Sequence, residues 1–313
     1  MAKIAIIIPA YNEEQTIVET VREFHAELAD ATFVVVNNAS TDRTAEVARE
    51  ILDELGAQGM VIEEPRKGKG NAVRRGFHAV DADIYVMTDA DQTYPASQVH
   101  ALIEPVAYGA ADMVVGDRIS GGHYRSENKR SFHNFGNGLV RSLINTIFNA
   151  GLADVMSGYR VLSRNFVRNY PILVEGFQIE TDMTLHALDK RFRVREIPVD
   201  YRDRPEGSES KLNTFVDGGR VLMTIVRIFR QYRPLAFFGA AALVLLLCAL
   251  IAGVPVLEDW LRHRYIYHVP LAILATGLTL LAGLSLSLGL ILDSIVYQHK
   301  MNFERGMRPD SES

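Results

Sequence analysis

The chain has 313 residues, enough for one large domain or two smaller ones, and 48% of them are hydrophobic, an ordinary share for a globular protein. Its formal net charge of −5 argues against nucleic-acid binding, because proteins that follow a phosphate backbone carry a basic face. The single cysteine, Cys248, excludes a disulfide within one chain and fits a reducing compartment.

The first part of the chain alternates strand and helix patterns. Continuous aliphatic runs predict strands covered on both faces, and apolar residues at helical spacing predict the helices between them. The predicted strands are 4–8, 33–36, 60–63, 84–87 and 113–116, and the predicted helices are 13–28, 43–55, 70–80 and 96–108. This alternation indicates parallel βαβ units and therefore an open α/β sheet, whose ligand crevice lies at the carboxyl ends of the strands.

The pattern is less regular after residue 116. Residues 119–130 contain two glycines and several charges, which favours a loop over the crevice. The predicted elements that follow are helices at 132–149 and 181–190, a strand at 195–199 and a polar loop at 202–211. Residues 212–232 place apolar side chains among arginines, a pattern that predicts an amphipathic helix lying at a membrane surface.

Two nearly uncharged runs, 235–257 and 269–296, are each long enough to cross about 30 Å of hydrocarbon as a helix. We interpret them as a transmembrane hairpin. The alternative is a buried hairpin in a soluble core, but such helices rarely exceed about 20 residues without a polar face. More cations flank the outer ends of the two runs than lie between them, which predicts that both chain termini are cytoplasmic.

These patterns divide the chain into four predicted parts. They are a globular domain (1–211), an interfacial helix (212–233), a transmembrane hairpin (234–300) and a cytoplasmic tail (301–313). The expected protein is therefore an integral protein of the cytoplasmic membrane with its globular domain in the cytoplasm. A short membrane hairpin is also compatible with a homo-oligomer.

The strongest local signal for chemistry is an acidic pair, Asp89 and Asp91, directly after the predicted strand 84–87. Carboxylates at the mouth of a crevice suit hard divalent cations such as Mg²⁺ or Mn²⁺, which commonly bridge protein carboxylates to substrate phosphates. Such a pair also arises in ordinary turns. Its position at the end of a strand favours the metal site.

Four segments occur in an order and spacing that resembles the family 2 glycosyltransferases. They are IPAYNEE at 8–14, NASTDRT at 38–44, KGKGNA at 67–72 and DAD at 89–91. Later segments, which include Asp154, SGYR at 157–160, ETD at 180–182 and GSESKL at 207–212, resemble the dolichol-phosphate mannose synthase and polyprenyl-phosphate glycosyltransferase group. Several bacterial members of that group also end in a two-helix membrane hairpin.

The resemblance implies a GT-A fold, that is, a Rossmann-like nucleotide-sugar domain with a mainly parallel sheet, followed here by the surface helix and the hairpin. The implied reaction is the inverting transfer of a hexose from a GDP-mannose or UDP-glucose type of donor to polyprenyl or dolichyl phosphate. The lipid-linked sugar would serve cell-envelope glycan or glycoprotein assembly. The implied cofactor is Mg²⁺ or Mn²⁺, and the implied partners are the donor, the lipid phosphate and the bilayer.

The resemblance also implies roles for individual residues. Those expected to bind the nucleotide sugar are Pro9, Ala10, Tyr11, Glu13, Asn38, Asp42, Lys69, Asp89, Ala90 and Asp91. The implied catalytic residues are Asp89, Asp91, Arg118 and Arg160, of which the two aspartates hold the metal. Those expected to bind the acceptor phosphate are Arg118, Arg202, Ser210 and Lys211. Glu180 and Asp182 have either an acceptor-side role or a structural one, since acids also favour helix N-termini.

Some positions depart from the pattern of the group. Asn37 and Asn38 stand where many relatives carry acids, Thr93 stands where a glutamine serves as a metal ligand, and Gly158 replaces an aspartate of certain relatives. Two other functions stay open. A processive polysaccharide synthase usually carries a Gln-x-x-Arg-Trp element, whereas the only tryptophan here, Trp260, lies between the two apolar runs. A membrane scaffold could keep the fold without catalysis.

Overall fold

The computed structural model describes residues 2–120, 131–176, 178–202, 223 and 226–306. The chain forms two compact units, Met1–Gly218 and Gly219–Ser313. The first unit contains a sheet with helices, and the second contains two long helices. The predicted division into four parts stays a prediction.

The described strands of the first unit form one seven-stranded sheet with the order β3-β2-β1-β4-β6-β5-β7. The strands are β1 Ile4–Ala10, β2 Thr32–Asn37, β3 Gly59–Glu63, β4 Ile84–Met87, β5 Met113–Asp117, β6 Arg160–Ser163 and β7 Val194–Pro198. Among the described strands, only β6 runs antiparallel to its neighbours, β4 and β5. The predicted α/β fold with a mainly parallel sheet is therefore confirmed.

Except for the helix Arg164–Asn169, the described helices of the first unit follow the predicted pattern, with small differences at their ends. They are α1 Ile17–Glu27, α2 Thr44–Leu55, α3 Lys69–Ala79, α4 Val99–Ala107, α5 Ser131–Phe148, α6 Arg164–Asn169 and α7 Ile179–Asp189. The helix predicted from residue 13 begins one turn later, because the carbonyl of Glu13 accepts hydrogen bonds from the amides of Thr16 and Ile17 in a separate turn. This turn leaves Glu13 at the edge of the sheet.

Strand β6 and helix α6 were not predicted from the sequence. The strand has four residues, opens on Arg160 and contains only two aliphatic side chains, so it lacks the run that marked the other strands. Its partners are distant in sequence, since it pairs with β4 and β5. A central strand this short depends on tertiary pairing rather than on its own pattern.

The core lies on both faces of the sheet, as the aliphatic run of β1 predicts. Ile6, Ile7 and Ile8 are fully buried, and burying each such side chain stabilises the fold by roughly 1.5–3 kcal/mol. Helix α3 packs so closely on this run that a Cβ atom at Gly76 would lie 2.5 Å from Cγ2 of Ile7. A glycine is therefore required at the contact between α3 and the sheet.

The carboxyl ends of the parallel strands meet at one edge of the sheet. Strand β1 pairs with β2 on one side and with β4 on the other, which makes the β1–β4 boundary the topological switch point. Ligand crevices of open α/β sheets form outside the strand ends at such a point. The segments that follow β1, β2 and β4, and the segment that precedes the antiparallel β6, all lie at this edge.

The second unit contains α8 Pro234–His263 and α9 Val269–Gly306, which are both long and apolar enough to cross a membrane. Both helices extend beyond the predicted apolar runs, because polar residues next to each run continue the helix. A Cβ atom at Gly289 would lie 3.0 Å from Cβ of Phe238, so the two helices approach closely there. Ser285 donates a hydrogen bond to the carbonyl of Phe238 at 2.9 Å and adds a polar contact to the pair.

Part of the predicted organisation lies outside the described residues. Of the predicted surface helix, the structure describes residue 223 and residues 226–233, and 226–232 are helical. The described part of the predicted loop over the crevice ends at residue 120. The predicted tail is described as far as residue 306, within α9.

Candidate active site

Three charged side chains meet at the carboxyl edge of the sheet. Lys69 begins α3, Asp89 follows β4, and Glu180 lies in the first turn of α7. The Nζ atom of Lys69 forms ion pairs with Oδ1 of Asp89 and with Oε1 of Glu180, the latter at 2.5 Å. The sequence is compatible with either an acceptor-side or a structural role for Glu180, and its carboxylate contacts Lys69 of the predicted site.

The buried position of Lys69 changes its ionisation. Burial by itself would lower the pKa of Lys69, but the negative charges of Asp89 and Glu180 outweigh it and hold the pKa well above its ordinary value. The side chain therefore stays an ammonium ion throughout the physiological pH range. A permanent positive charge beside the acidic pair suits the binding of a diphosphate.

The second acid of the pair, Asp91, is held by its own loop. Its Oδ1 atom accepts hydrogen bonds from the hydroxyl of Thr93 at 2.6 Å and from the amide of Thr93 at 3.2 Å. The residue is buried, with 4% of its surface exposed. Thr93, which stands where relatives carry a glutamine, therefore orients the Asp91 carboxylate.

The carboxylates at this edge fit a metal ion whose further ligands come from a substrate. No group of three or more His, Cys, Asp or Glu side chains that could hold a metal occurs within the part of the chain that the structure describes. Mg²⁺ in proteins is commonly bound by one or two carboxylates together with substrate phosphates. Asp89 and Asp91 match that arrangement, in which a diphosphate supplies further oxygen ligands.

Gly158 packs against the ion pair from the loop that precedes β6. A Cβ atom at this position would lie 2.6 Å from Oδ2 of Asp89 and 3.0 Å from Nζ of Lys69. The loop is held by Tyr94, whose hydroxyl accepts a hydrogen bond from the Gly158 amide at 2.9 Å. The Tyr94 ring packs on Tyr159, with ring centroids 5.2 Å apart. Gly158 therefore allows the close approach of this loop to the acidic pair.

Replacing Gly158 with alanine is expected to lower turnover by about tenfold to a hundredfold, because misplacement of a catalytic group by about 1 Å can have an effect of this size. The added methyl group must push Asp89 or Lys69 aside. Steady-state kinetics would measure the effect, and thermal unfolding would show whether the fold is retained. Gly138→Ala in α5 is the matched control, since a Cβ atom there meets no atom within 4 Å. Equal activity of the two variants would contradict the prediction.

The end of β1 and the loop after it lie beside this crevice and carry four of the predicted donor-binding residues. Pro9 and Ala10 end the strand. The hydroxyl of Tyr11 accepts a hydrogen bond from Nζ of Lys67 at 3.4 Å. The amide of Glu13 donates to the hydroxyl of Thr44 at 2.8 Å, which ties this loop to the start of α2.

Residues 5–170, more than half of the chain, match the model of the family described as Glycosyl transferase family 2. The chain belongs to glycosyltransferase family 2. Glycosyltransferase AglJ of Haloferax volcanii is 28% identical to this family member over 303 residues, which cover 96% of each chain. A dolichyl-phosphate hexose transferase of the same organism is 28% identical over 230 residues, which cover 74% of this chain and 95% of that relative.

Solved structures share the fold of this glycosyltransferase. Glucosyl-3-phosphoglycerate synthase from Mycobacterium tuberculosis, in complex with Mn²⁺, uridine diphosphate and phosphoglyceric acid, superposes with a TM-score of 0.55 at 20% sequence identity. The match covers 73% of this chain and 78% of that protein. Mannosyl-3-phosphoglycerate synthase from Rubrobacter xylanophilus gives a TM-score of 0.56 at 19% identity and covers 74% of both chains. The predicted GT-A fold is thereby confirmed.

In this glycosyltransferase, two predicted donor-binding residues organise loops. The Asn38 side chain accepts a hydrogen bond from the amide of Gly68 at 2.7 Å and donates one to the carbonyl of Arg66 at 2.7 Å, so it holds the segment that leads into Lys69. The carboxylate of Asp42 accepts hydrogen bonds from Thr44, including its amide at 3.1 Å. Contacts of Asn38 and Asp42 with the nucleotide sugar stay predictions.

Arg118 lies at the end of β5 in a bidentate ion pair. Its Nε and Nη2 atoms donate to Asp154 at 2.6 and 3.0 Å, and its guanidinium lies 5.4 Å from the centroid of the Tyr201 ring. Burial would raise the pKa of Asp154, but the hydrogen bonds and charge of Arg118 outweigh it and lower the pKa. Asp154 therefore stays ionised and orients the guanidinium, while the predicted phosphate contact stays a proposal.

Arg160, one of the residues predicted to be catalytic, is held by groups of the protein interior, and its catalytic role stays a prediction. The residue is fully buried, and its guanidinium donates to the carbonyls of Ser157 and Val155, each at 2.9 Å, and to the hydroxyl of Thr184 at 3.0 Å. Burial lowers the pKa of Arg160 from its very high ordinary value. The Arg160 side chain therefore holds the loop that carries Gly158, and it positions the site through that loop.

Replacing Arg160 with methionine is expected to lower the free energy of unfolding by about 2–4 kcal/mol, because it removes the guanidinium hydrogen bonds to the buried carbonyls of Ser157 and Val155 and to the hydroxyl of Thr184. Chemical unfolding followed by circular dichroism would measure the change. The control is Arg168→Met in α6, whose guanidinium pairs with Asp81 at the surface. That pair should be worth less than about 1 kcal/mol. A change no larger than the control's would contradict the structural role.

The remaining predicted acceptor residues lie further along the chain. The guanidinium of Arg202 forms an ion pair with Glu23 at 2.8 Å, and its amide donates to the carbonyl of Thr93 at 2.9 Å. This second contact places the backbone at residue 202 beside the loop of the acidic pair. Ser210 and Lys211 lie outside the described residues.

Proposed function

We propose that this glycosyltransferase moves a hexose from a nucleotide diphosphate sugar to a polyprenyl phosphate at the surface of a membrane. The observation that carries the proposal is the acidic pair at the switch point, with the buried Lys69 ammonium against Asp89. The lipid acceptor is supported by the two membrane-length helices α8 and α9. It is supported further by the relative named dolichyl-phosphate hexose transferase.

The donor diphosphate binds at the carboxyl edge of the sheet between the β1 and β4 loops. Asp89 and Asp91 would hold Mg²⁺ or Mn²⁺, and the bound ion would supply positive charge to stabilise the departing diphosphate. The Lys69 ammonium supplies a further positive charge at the same place. The loop residues after β1 bind the nucleotide, and the Gly158 loop closes the opposite side.

The nucleophile is an oxygen atom of the lipid phosphate. The second pKa of a phosphate monoester is about 6, so the acceptor is largely a dianion at neutral pH and needs no strong general base. A single displacement at the anomeric carbon forms the bond to this oxygen as the bond to the diphosphate breaks, and it inverts that carbon. Arg118, together with Arg202, Ser210 and Lys211, binds the acceptor phosphate.

The membrane parts hold the globular domain where the lipid phosphate emerges. The hairpin would place this domain and both termini in the cytoplasm, in line with the distribution of flanking cations. The arginines before α8 would attract anionic headgroups at about 1 kcal/mol per charge. A long prenyl chain then stays in the bilayer while its phosphate enters the crevice.

The test is incubation of the purified full-length protein with polyprenyl phosphate, Mn²⁺ or Mg²⁺, and a panel of GDP- and UDP-sugars, followed by mass spectrometry of the lipid. One donor is expected to add a single hexose to the lipid phosphate. Omission of the metal and use of polyprenol without phosphate are the controls. A sugar polymer as the product, or no lipid-linked sugar with any donor, would contradict the proposal.

A further inference from the structure

Lys69 lies between two carboxylates that belong to different parts of the chain. Asp89 follows β4 and is a metal ligand in the proposed function, whereas Glu180 belongs to α7 and is not. The side chains of Lys69 and Glu180 are 10% and 7% exposed, and the Asp89 side chain is 26% exposed. The ammonium ion is thus a buried partner of the most open carboxylate in the cluster.

The contacts of Asp89 leave little room for a second cation. The Lys69 ammonium contacts its Oδ1 atom. The loop at Gly158 lies against its Oδ2 atom, so closely that a Cβ atom would be 2.6 Å away. A divalent ion that binds Asp89 must therefore approach a site where an ammonium ion already contacts the carboxylate, and the two positive charges repel each other.

Glu180 offers the ammonium ion a second partner. Its carboxylate contacts Lys69 at 2.5 Å in the same structure, and the flexible four-carbon stem of a lysine allows its charge to shift between neighbouring acids. Asp182, two residues further along α7, instead accepts a hydrogen bond from the Tyr170 hydroxyl at 2.7 Å. Of the two acids that the sequence left open, Glu180 is the one that contacts Lys69.

We propose that Lys69 is an internal counter-ion which the metal displaces from Asp89, and that Glu180 is a positioning residue which keeps the displaced ammonium ion beside the crevice. This inference rests on the proposed function. Before the donor arrives, Lys69 neutralises Asp89. When the metal and the diphosphate bind, Lys69 stays on Glu180 and its charge remains available to the diphosphate.

The proposal predicts opposite effects of two substitutions on the binding of Mn²⁺ alone. Lys69→Met removes the competing cation and is expected to tighten Mn²⁺ binding by about tenfold, whereas Glu180→Gln leaves Lys69 on Asp89 and is expected to weaken it by about tenfold. Titration of Mn²⁺ into the full-length protein, followed by electron paramagnetic resonance, measures both. Turnover should fall in both variants.

One control variant and the direction of the Lys69→Met effect separate this proposal from a purely structural role. Asp182→Asn changes an acid on the same helix and should leave Mn²⁺ affinity within about twofold of the unmodified protein, because its partner is Tyr170. If Lys69 merely held Asp89 in place, both Lys69→Met and Glu180→Gln would weaken Mn²⁺ binding. That result would overturn the proposal, as would equal effects of Glu180→Gln and Asp182→Asn.

The outcome also distinguishes this inference from the function on which it rests. If the unmodified protein and Lys69→Met both fail to bind Mn²⁺, even with GDP or UDP present, the proposed metal site itself fails. If both bind with equal affinity, the metal site stands and only the role of Lys69 fails. If Lys69→Met does not fold, the test depends on Glu180→Gln alone. Mn²⁺ binding by Glu180→Gln that is unchanged or tighter would then contradict the proposal.

Discussion

Replacing Asp89 and Asp91 together with asparagine is expected to lower the formation of lipid-linked hexose by at least about a thousandfold, since loss of a single group that stabilises developing charge already costs about a hundredfold to a thousandfold. Both carboxylates lie at the switch point of the sheet, where the diphosphate is proposed to leave. Initial rates measured by mass spectrometry of the lipid, over a range of Mn²⁺ concentrations, would quantify the loss.

The asparagine substitutions preserve the shape of the loop as far as the chemistry allows. An Oδ1 atom remains at position 91 and can still accept the hydrogen bonds of Thr93. The matched control is the pair Asp81→Asn and Asp83→Asn, an exposed and a half-buried acid away from the crevice that form ion pairs with Arg164. Its activity should stay near that of the unmodified protein. If the Asp89 and Asp91 variant retains metal-dependent transfer, the result would favour a different metal site. If the variant loses turnover but retains the protein's cellular role, the result would favour a scaffold.

Removal of everything after Arg233 is expected to leave nucleotide binding intact but to lower transfer to long polyprenyl phosphates by at least about a hundredfold. The physical reason is the loss of the effective concentration that a shared membrane provides. The core around the sheet is built from residues of the first unit, from Ile6 to Val199, so the truncated protein retains that core. Its transfer rate should be compared on long-chain acceptors in vesicles and on a short, water-soluble prenyl phosphate.

The short acceptor is the control for this truncation. It reaches the crevice without the bilayer, so its rate should change much less than the rate on the long lipid. Circular dichroism and calorimetric binding of GDP or UDP would show that the truncated domain is folded. Unchanged turnover of long lipids in vesicles would contradict the anchoring role that we propose for α8 and α9.

Local pattern was sufficient for much of the fold. Strand β4 was predicted with its observed ends, and β1 was recognised from an aliphatic run that is indeed buried on both faces. Such runs are informative because a strand between two layers of helices must be apolar at every position. The same argument was insufficient for β6, whose four residues begin with a buried arginine that hydrogen bonds to carbonyls of its own loop.

The position of the acidic pair was also predictable, whereas its surroundings were not. Asp89 and Asp91 follow a strand directly, so local structure alone puts them at the carboxyl edge of the sheet. Glu180 comes from a helix more than eighty residues further on, and at a helix N-terminus an acid is expected for structural reasons as well. Its ion pair with Lys69 depends on how α7 packs against the start of α3.

By itself, the sequence determined the alternation of strands and helices, the location of the acidic pair and the two membrane-length helices, because each depends on residues that are close along the chain. Only the tertiary structure decided which charges meet. It paired Arg118 with Asp154, buried Arg160 beneath the Gly158 loop and placed Lys69 between Asp89 and Glu180. The reason is that an ion pair depends on distance in space, and packing of the helices and loops around the sheet sets that distance independently of separation along the chain.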